Sequence, residues 1–152
     1  MKLPVTRMKW LQRLAALCGI SLFGAMLSGC GNGLAQVTGI VTLDGQPLQG
    51  GAGDTRVTVE FHPASGIGTV SIGLADENGQ FALGTGAETG IPPGEYLVSC
   101  SASRLVSGGG ARRITDPKFA NTKTSGLTCS VAPGNNEFNI ALSSPPAIRR
   151  TP

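Results

Sequence analysis

The sequence predicts an all-β domain of seven strands folded into a single sandwich, behind an N-terminal signal helix. Three observations predict it. Beyond residue 35, apolar side chains alternate with polar ones at the period of two that a half-buried strand imposes. Turn pairs such as Asp44-Gly45, Asn78-Gly79 and Pro133-Gly134 separate these runs. No segment beyond residue 30 sustains a helical period. Seven strands that each bury one face are accommodated by two facing sheets.

The first element is residues 1–29. Lys2, Arg7, Lys9 and Arg13 precede an uncharged apolar run over 14–27, the layout of a secretory signal. That run is shorter than the ~20 apolar residues of a membrane-spanning helix. It ends in Leu27-Ser28-Gly29-Cys30, which resembles the lipobox of bacterial lipoproteins. The resemblance implies cleavage before Cys30 and attachment of acyl chains such as palmitate to it, a role that suits a thiol because the thiolate is the better nucleophile at neutral pH. Gly31, where an inner-membrane lipoprotein would carry Asp, then implies the outer membrane. The alternative is an ordinary signal peptide followed by an unmodified cysteine. Residues 30–35 read as a flexible tether.

The sandwich is expected over 36–142. Val37 to Leu43 form a β-branched strand that stops at Asp44-Gly45. Val57, Val59 and Phe61 share one face of the next, with Arg56, Thr58, Glu60 and His62 on the other. Residues 68–75 give a third strand with Val70, Ile72 and Leu74 on one face, and Asn78-Gly79 turns the chain into Gln80-Phe81-Ala82-Leu83. After Pro92-Pro93-Gly94, Tyr96, Val98, Cys100 and Ala102 alternate with polar neighbours. Leu127, Cys129 and Val131 make a sixth strand, and Phe138, Ile140 and Leu142 the inner face of a seventh. Residues 143–152 read as a disordered tail, and residues 102–125 as a long loop of the kind that is functional or disordered.

Taken in order, Val37-Thr38-Gly39-Ile40-Val41, Asp44-Gly45-Gln46-Pro47-Leu48, Asp76-Glu77-Asn78-Gly79-Gln80-Phe81 and Pro93-Gly94-Glu95-Tyr96 resemble the carboxypeptidase regulatory-like domain. The resemblance covers about 37–102 and departs at 50–54, where this chain inserts residues. It implies a transthyretin-like, Ig-like sandwich that serves as a non-catalytic accessory module of the cell envelope and carries no catalytic residue to transfer. The expected role is a lipid-anchored binding or structural module. The alternative is an accessory subunit docking an envelope enzyme or transporter.

Charge excludes one class of partner. The chain has twelve basic and nine acidic residues, but four basic ones lie in the signal, so the mature chain is slightly acidic. General nucleic-acid binding rests on a basic footprint that is missing here. His62, the sole histidine, sits on the polar face of a strand and reads as a surface residue. The Asp76-Glu77-Asn78-Gly79 stretch reads as a turn rather than a calcium loop, since Phe81 and Ala87 stand where such a loop needs Gly and Glu. No catalytic set, metal site or cofactor is expected.

Two features remain. Cys100 and Cys129 are an even pair in an exported domain, each on an apolar strand face, and a disulfide between them is expected; two buried thiols are the alternative. The long loop carries Arg104, Arg112, Arg113, Lys118 and Lys123 against one acid, Asp116. It reads either as a solvated loop or as an anion-binding loop for acidic glycan or lipid headgroups. The partners expected are therefore the membrane, through the lipid anchor, and an acidic glycan or an envelope protein.

Overall fold

The computed structural model describes residues 33–51 and 53–146. Cys30, the signal, most of the tether and the end of the tail lie outside the described residues. Eleven strands follow in chain order: β1 (Gln36–Leu43), β2 (Gln46–Pro47), β3 (Thr55–Pro63), β4 (Ser71–Leu74), β5 (Gln80–Ala82), β6 (Gly84–Thr85), β7 (Glu88–Thr89), β8 (Gly94–Leu105), β9 (Ala111–Arg113), β10 (Leu127–Val131) and β11 (Asn135–Leu142). The seven expected strands are β1, β3, β4, β5, β8, β10 and β11; the other four have two or three residues each. A 3-10 turn (Pro117–Ala120) and the single-turn helix α1 (Thr122–Ser125) lie between β9 and β10.

The strands form two sheets that face each other. The smaller has the order β11-β1-β2, with β5 also on β1. The larger has the order β10-β8-β3-β4-β6-β7, with β9 also on β8. Between them lie Val37, Val41 and Ile140 from the first sheet and Val57, Val59, Phe61 and Val98 from the second, all buried. Burial of each such side chain stabilises the fold by about 1.5–3 kcal/mol. The Phe61 ring lies at the centre, 5.8 Å from Tyr96 and 6.0 Å from Phe138, both tilted. Asp44 (φ 50°) and Gly45 (φ 83°) make the two-residue hairpin between β1 and β2, where positive φ at both positions matches the twist of the strands. Gly39 is required by crowding: a Cβ there would lie 1.9 Å from the Phe138 carbonyl oxygen and 2.8 Å from the Phe81 ring.

Strand β4 runs in the opposite phase to the one expected. Ser71 and Gly73 face the core, while Ile72 and Leu74 face outward, half exposed. The register explains this: Ser71 is opposite Phe61, which fills the space there, and Gly73 lies where a Cβ would come within 2.7 Å of the Ala82 carbonyl. Small residues are needed inside, so the apolar ones were displaced to the other face.

The long loop is largely structured. β8 continues to Leu105, turns, and pairs with β9. Residues 114–126 then line the edge of β8 between β9 and β10: the Ile114 N–H donates to the Ala102 carbonyl (3.0 Å), and the Ser125 hydroxyl donates to the Val98 carbonyl (2.6 Å). The fold takes in residues beyond 36–142 on both sides. Ala35, placed in the tether by sequence, is buried and bridged to Ile91. Ser143 accepts from the Asp116 N–H (2.8 Å), and Ser144 donates from its backbone and its hydroxyl to the Asp44 carboxylate, which holds that carboxyl below its usual range.

Candidate functional site

Beyond the core, β3, β8 and β9 continue as a three-stranded ribbon. Its register sets two rows of side chains. Arg56 and Arg113 flank Ser103 from the strands on either side, and Thr55 and Arg112 flank Arg104 in the adjacent row. The first row is on the outer face of the sheet, because Val57 and Ala102, one residue on, point into the core. The second takes the opposite face, past the end of the buried layer. Four arginines thus occupy one end of the ribbon, two on each face.

The electrostatics of this end are unbalanced. Arg104 and Arg112 are directly opposite, a placement that puts their Cβ atoms about 5 Å apart and is destabilising for like charges. Arg104 is oriented by its Nε–H, which donates to Thr55 Oγ1 at 3.2 Å. Asp54 borders the row, and its carbonyl accepts the Leu105 N–H at 2.8 Å. Among the described residues none of the four arginines forms an ion pair. Paired guanidinium groups with unused N–H donors suit a planar or tetrahedral anion, which can accept two parallel hydrogen bonds from each.

The structure brings together only part of the expected basic loop. Arg104, Arg112 and Arg113 belong to the ribbon end. Lys118 and Lys123 do not: they sit in the 3-10 turn and in α1, on the segment along the β8 edge, with Lys118 Nζ 4.7 Å over the Phe119 ring. Arg56, absent from the expected set, joins it from β3. Its place could be read only from strand register, since it is 57 residues from Arg113 in the chain.

A second polar cluster lies on the outer face of the same sheet. His62 Nε2 is 3.2 Å from Glu60 Oε2 and 3.3 Å from Ser99 Oγ, and Ser99 donates to the same Glu60 oxygen at 3.1 Å. The residue types match a hydrolytic triad, but the wiring does not. A relay uses the two ring nitrogens in series, one to the acid and one to the nucleophile. Here both contacts converge on one nitrogen, and the serine is already bonded to the carboxylate and nearly buried. The cluster ties β3 to β8.

The expected disulfide is overturned. Cys100 and Cys129 are free thiols. They do share a sheet face, as their alternation implied, but Cys129 is opposite Tyr96, four residues from Cys100. Four residues of strand span about 13 Å, well past the ~7 Å limit for a bridge. Burial, with a smaller contribution from Glu60, pushes the Cys100 thiol up to about 12, and burial also raises Cys129. Asp76 Oδ1 accepts the N–H groups of Asn78 and Gln80 at 2.8 Å each, so this carboxylate caps the expected turn.

At the opposite end from the arginines a groove of about 570 Å³ is lined by Pro63, Ile67, Thr69, Pro92, Pro93 and Tyr96, among others. The Tyr96 hydroxyl donates to the Pro92 carbonyl at 2.6 Å and fixes the double-proline corner to β8.

No protein-family model matches the chain, and no curated protein matches it. Among solved structures, a DUF3823 family protein from Parabacteroides merdae ATCC 43184 is similar over 72% of this chain, at 15% identity and a TM-score of 0.37. The similarity covers 46% of that protein, so this chain spans less than half its length.

Proposed function

We propose that this chain is a lipid-anchored protein of the cell envelope, held at the outer membrane through Cys30. Its one sandwich is a non-catalytic module that binds an acidic glycan at the arginine end. The basic and apolar runs before Cys30 support the anchor, and the resemblance over 37–102 to carboxypeptidase regulatory-like domains supports the accessory role. One observation carries the reading. Ala35, five residues after Cys30, is bridged to Ile91 beside the start of β8, whereas the four arginines cluster at the other end of that strand. Twelve residues of β8 put these ends about 36 Å apart. An anchor at one end thus leaves the cationic end directed away from the bilayer, toward polymer in the surrounding compartment.

Two measurements test this. Mass spectrometry of the purified protein is expected to find an acylated N-terminus at Cys30, lost in Cys30→Ser; an unmodified mature N-terminus refutes the anchor. Retention on immobilised polygalacturonate is expected for the wild type at low salt and is expected to fall in Arg112→Glu/Arg113→Glu, while the domain stays folded, its stability changing by no more than about 1 kcal/mol. Equal retention of the two proteins, or none, refutes the glycan reading and leaves a solvated ribbon.

A further inference from the structure

We propose that the end of the sandwich opposite the arginines rests on the bilayer itself, with Ile67 inserted at the lipid–water interface. The inference builds on acylation of Cys30 and adds the orientation of the domain and the residues that touch lipid.

The chain enters the fold at this end. The Ala35 N–H donates to the Ile91 carbonyl at 2.7 Å, the Ile91 N–H returns to Ala35 at 2.9 Å, and the Gln36 N–H donates to Gly134 at 2.8 Å. Five chain steps separate Cys30 from Ala35, a reach of at most about 18 Å. Ile91 leads directly into Pro92 and Pro93, and these line the same groove as Ile67. An acyl chain on Cys30 therefore brings this end to the membrane surface before any other.

The composition of the end suits that surface. Residues 64–70 are uncharged, and Ile67 at 84% exposure is the most exposed large apolar side chain among the described residues. No lysine or arginine of the described residues lies in the loops at 64–70, 90–94 or 132–134. Glu88 and Glu95 are nearby, and the Ser130 hydroxyl donates to Glu95 at 2.5 Å. With acids and no basic residue there, apolar insertion into a zwitterionic surface is favoured over attraction to anionic lipid.

The backbone is prepared for the move as well. A polar backbone group carried into lipid without a partner is costly. Ser65 Oγ accepts the Ile67 N–H at 3.3 Å and donates to the Ile67 carbonyl at 3.2 Å, so one side chain satisfies both groups of the residue at the tip. The Gly66 N–H is taken by Pro63 (2.9 Å) and the Ala64 N–H by Glu95 (2.8 Å). Pro92, Pro93 and Pro133 carry no N–H to lose, and the Pro92 carbonyl is held by Tyr96. Ile67 is thus a loop tip whose own N–H and carbonyl are both bonded to Ser65 and whose side chain is left exposed.

The mature chain has no tryptophan, since Trp10 precedes Cys30, so a single tryptophan can be placed at either end. The acylated protein, purified as Ile67→Trp and as Leu105→Trp, is reconstituted into phosphatidylcholine vesicles with brominated acyl chains. The expected result is co-flotation of both variants, with roughly half or more of the emission quenched for Ile67→Trp and little for Leu105→Trp, as an insertion depth of about 5–10 Å requires. Co-flotation with equal quenching, with no quenching, or with stronger quenching of Leu105→Trp overturns the inference and leaves the anchor standing. Failure to float overturns the anchor and the inference with it.

Discussion

At its first residue, Gly94, β8 leaves a double-proline corner beside Ile67; at its last, Leu105, it ends just past two rows that carry arginine. The two regions share strands and a core, and differ in which groups protrude. At the Gly94 end the backbone groups of Ile67 and the Pro92 carbonyl are bonded to Ser65 and Tyr96, and the Ile67 side chain protrudes. At the Leu105 end the apolar core has stopped, and guanidinium donors protrude without a carboxylate partner. One strand thus joins an exposed apolar side chain to a cluster of guanidinium groups, far enough apart that the proposed membrane and polyanion need not compete.

The largest test of the comparison is whether the ends are one unit. Gly39→Val forces a side chain against the Phe138 carbonyl and the Phe81 ring between the sheets. It is expected to cost about 3 kcal/mol or more and to unfold both ends in one transition. Urea titrations monitored by tryptophan at Ile67 and at Leu105 check this; separate midpoints would break the comparison.

Cys100 offers a global reporter midway between the ends. Its thiol is raised from 9.0 to about 12 in the fold, so the unfolded chain ionises first as pH rises. Protons bound to the unfolded state are then fewer than those bound to the native state, and stability falls between those two values. Denaturation midpoints are expected to drop over that range, and to drop less in Cys100→Ala. An identical alkaline slope in the variant would assign the loss to other groups.

Tyr96→Phe sharpens the contrast by loosening one end alone. Loss of the hydroxyl bond to Pro92 is expected to cost about 1 kcal/mol. Cys129, opposite Tyr96 and half buried, should then react faster with a thiol reagent, while Cys100 and polygalacturonate retention stay unchanged. Equal acceleration at both thiols would mean that the corner supports the whole domain. The smallest effect is expected at the other end. Arg112→Thr removes a like-charge neighbour of Arg104 and keeps the Arg104–Thr55 bond, so a gain of about 0.2–1 kcal/mol is expected at low salt, vanishing at high salt.

Alternation made the seven main strands legible, and Asp44-Gly45 gave the hairpin, because these signals are local. Everything that depended on which strand lies beside which was hidden. Cys100 and Cys129 were assigned to one face correctly and to one neighbourhood wrongly, since face follows from parity and distance from register. Ile72 and Leu74 read as core because their spacing is that of a buried face; crowding by Phe61 and Ala82 reversed the phase. Arg112 and Arg113 were visible as a basic pair, but Arg56 joined them, and Ser99 joined His62, only across strand pairings that no local window contains.

The parallel pairing of β1 with β11 has a consequence in time. Eight residues of the first strand find their partners 99 positions downstream, so one side of β1 has nothing to bond until the last strand is present. Contacts this distant in sequence slow folding, because the intervening chain must be ordered before they form. A chain that emerges N-terminus first, from a ribosome or through a membrane channel, cannot close its smaller sheet while any of β11 is still inside. The smaller sheet is therefore completed last, once β11 is free to pair along the whole of β1.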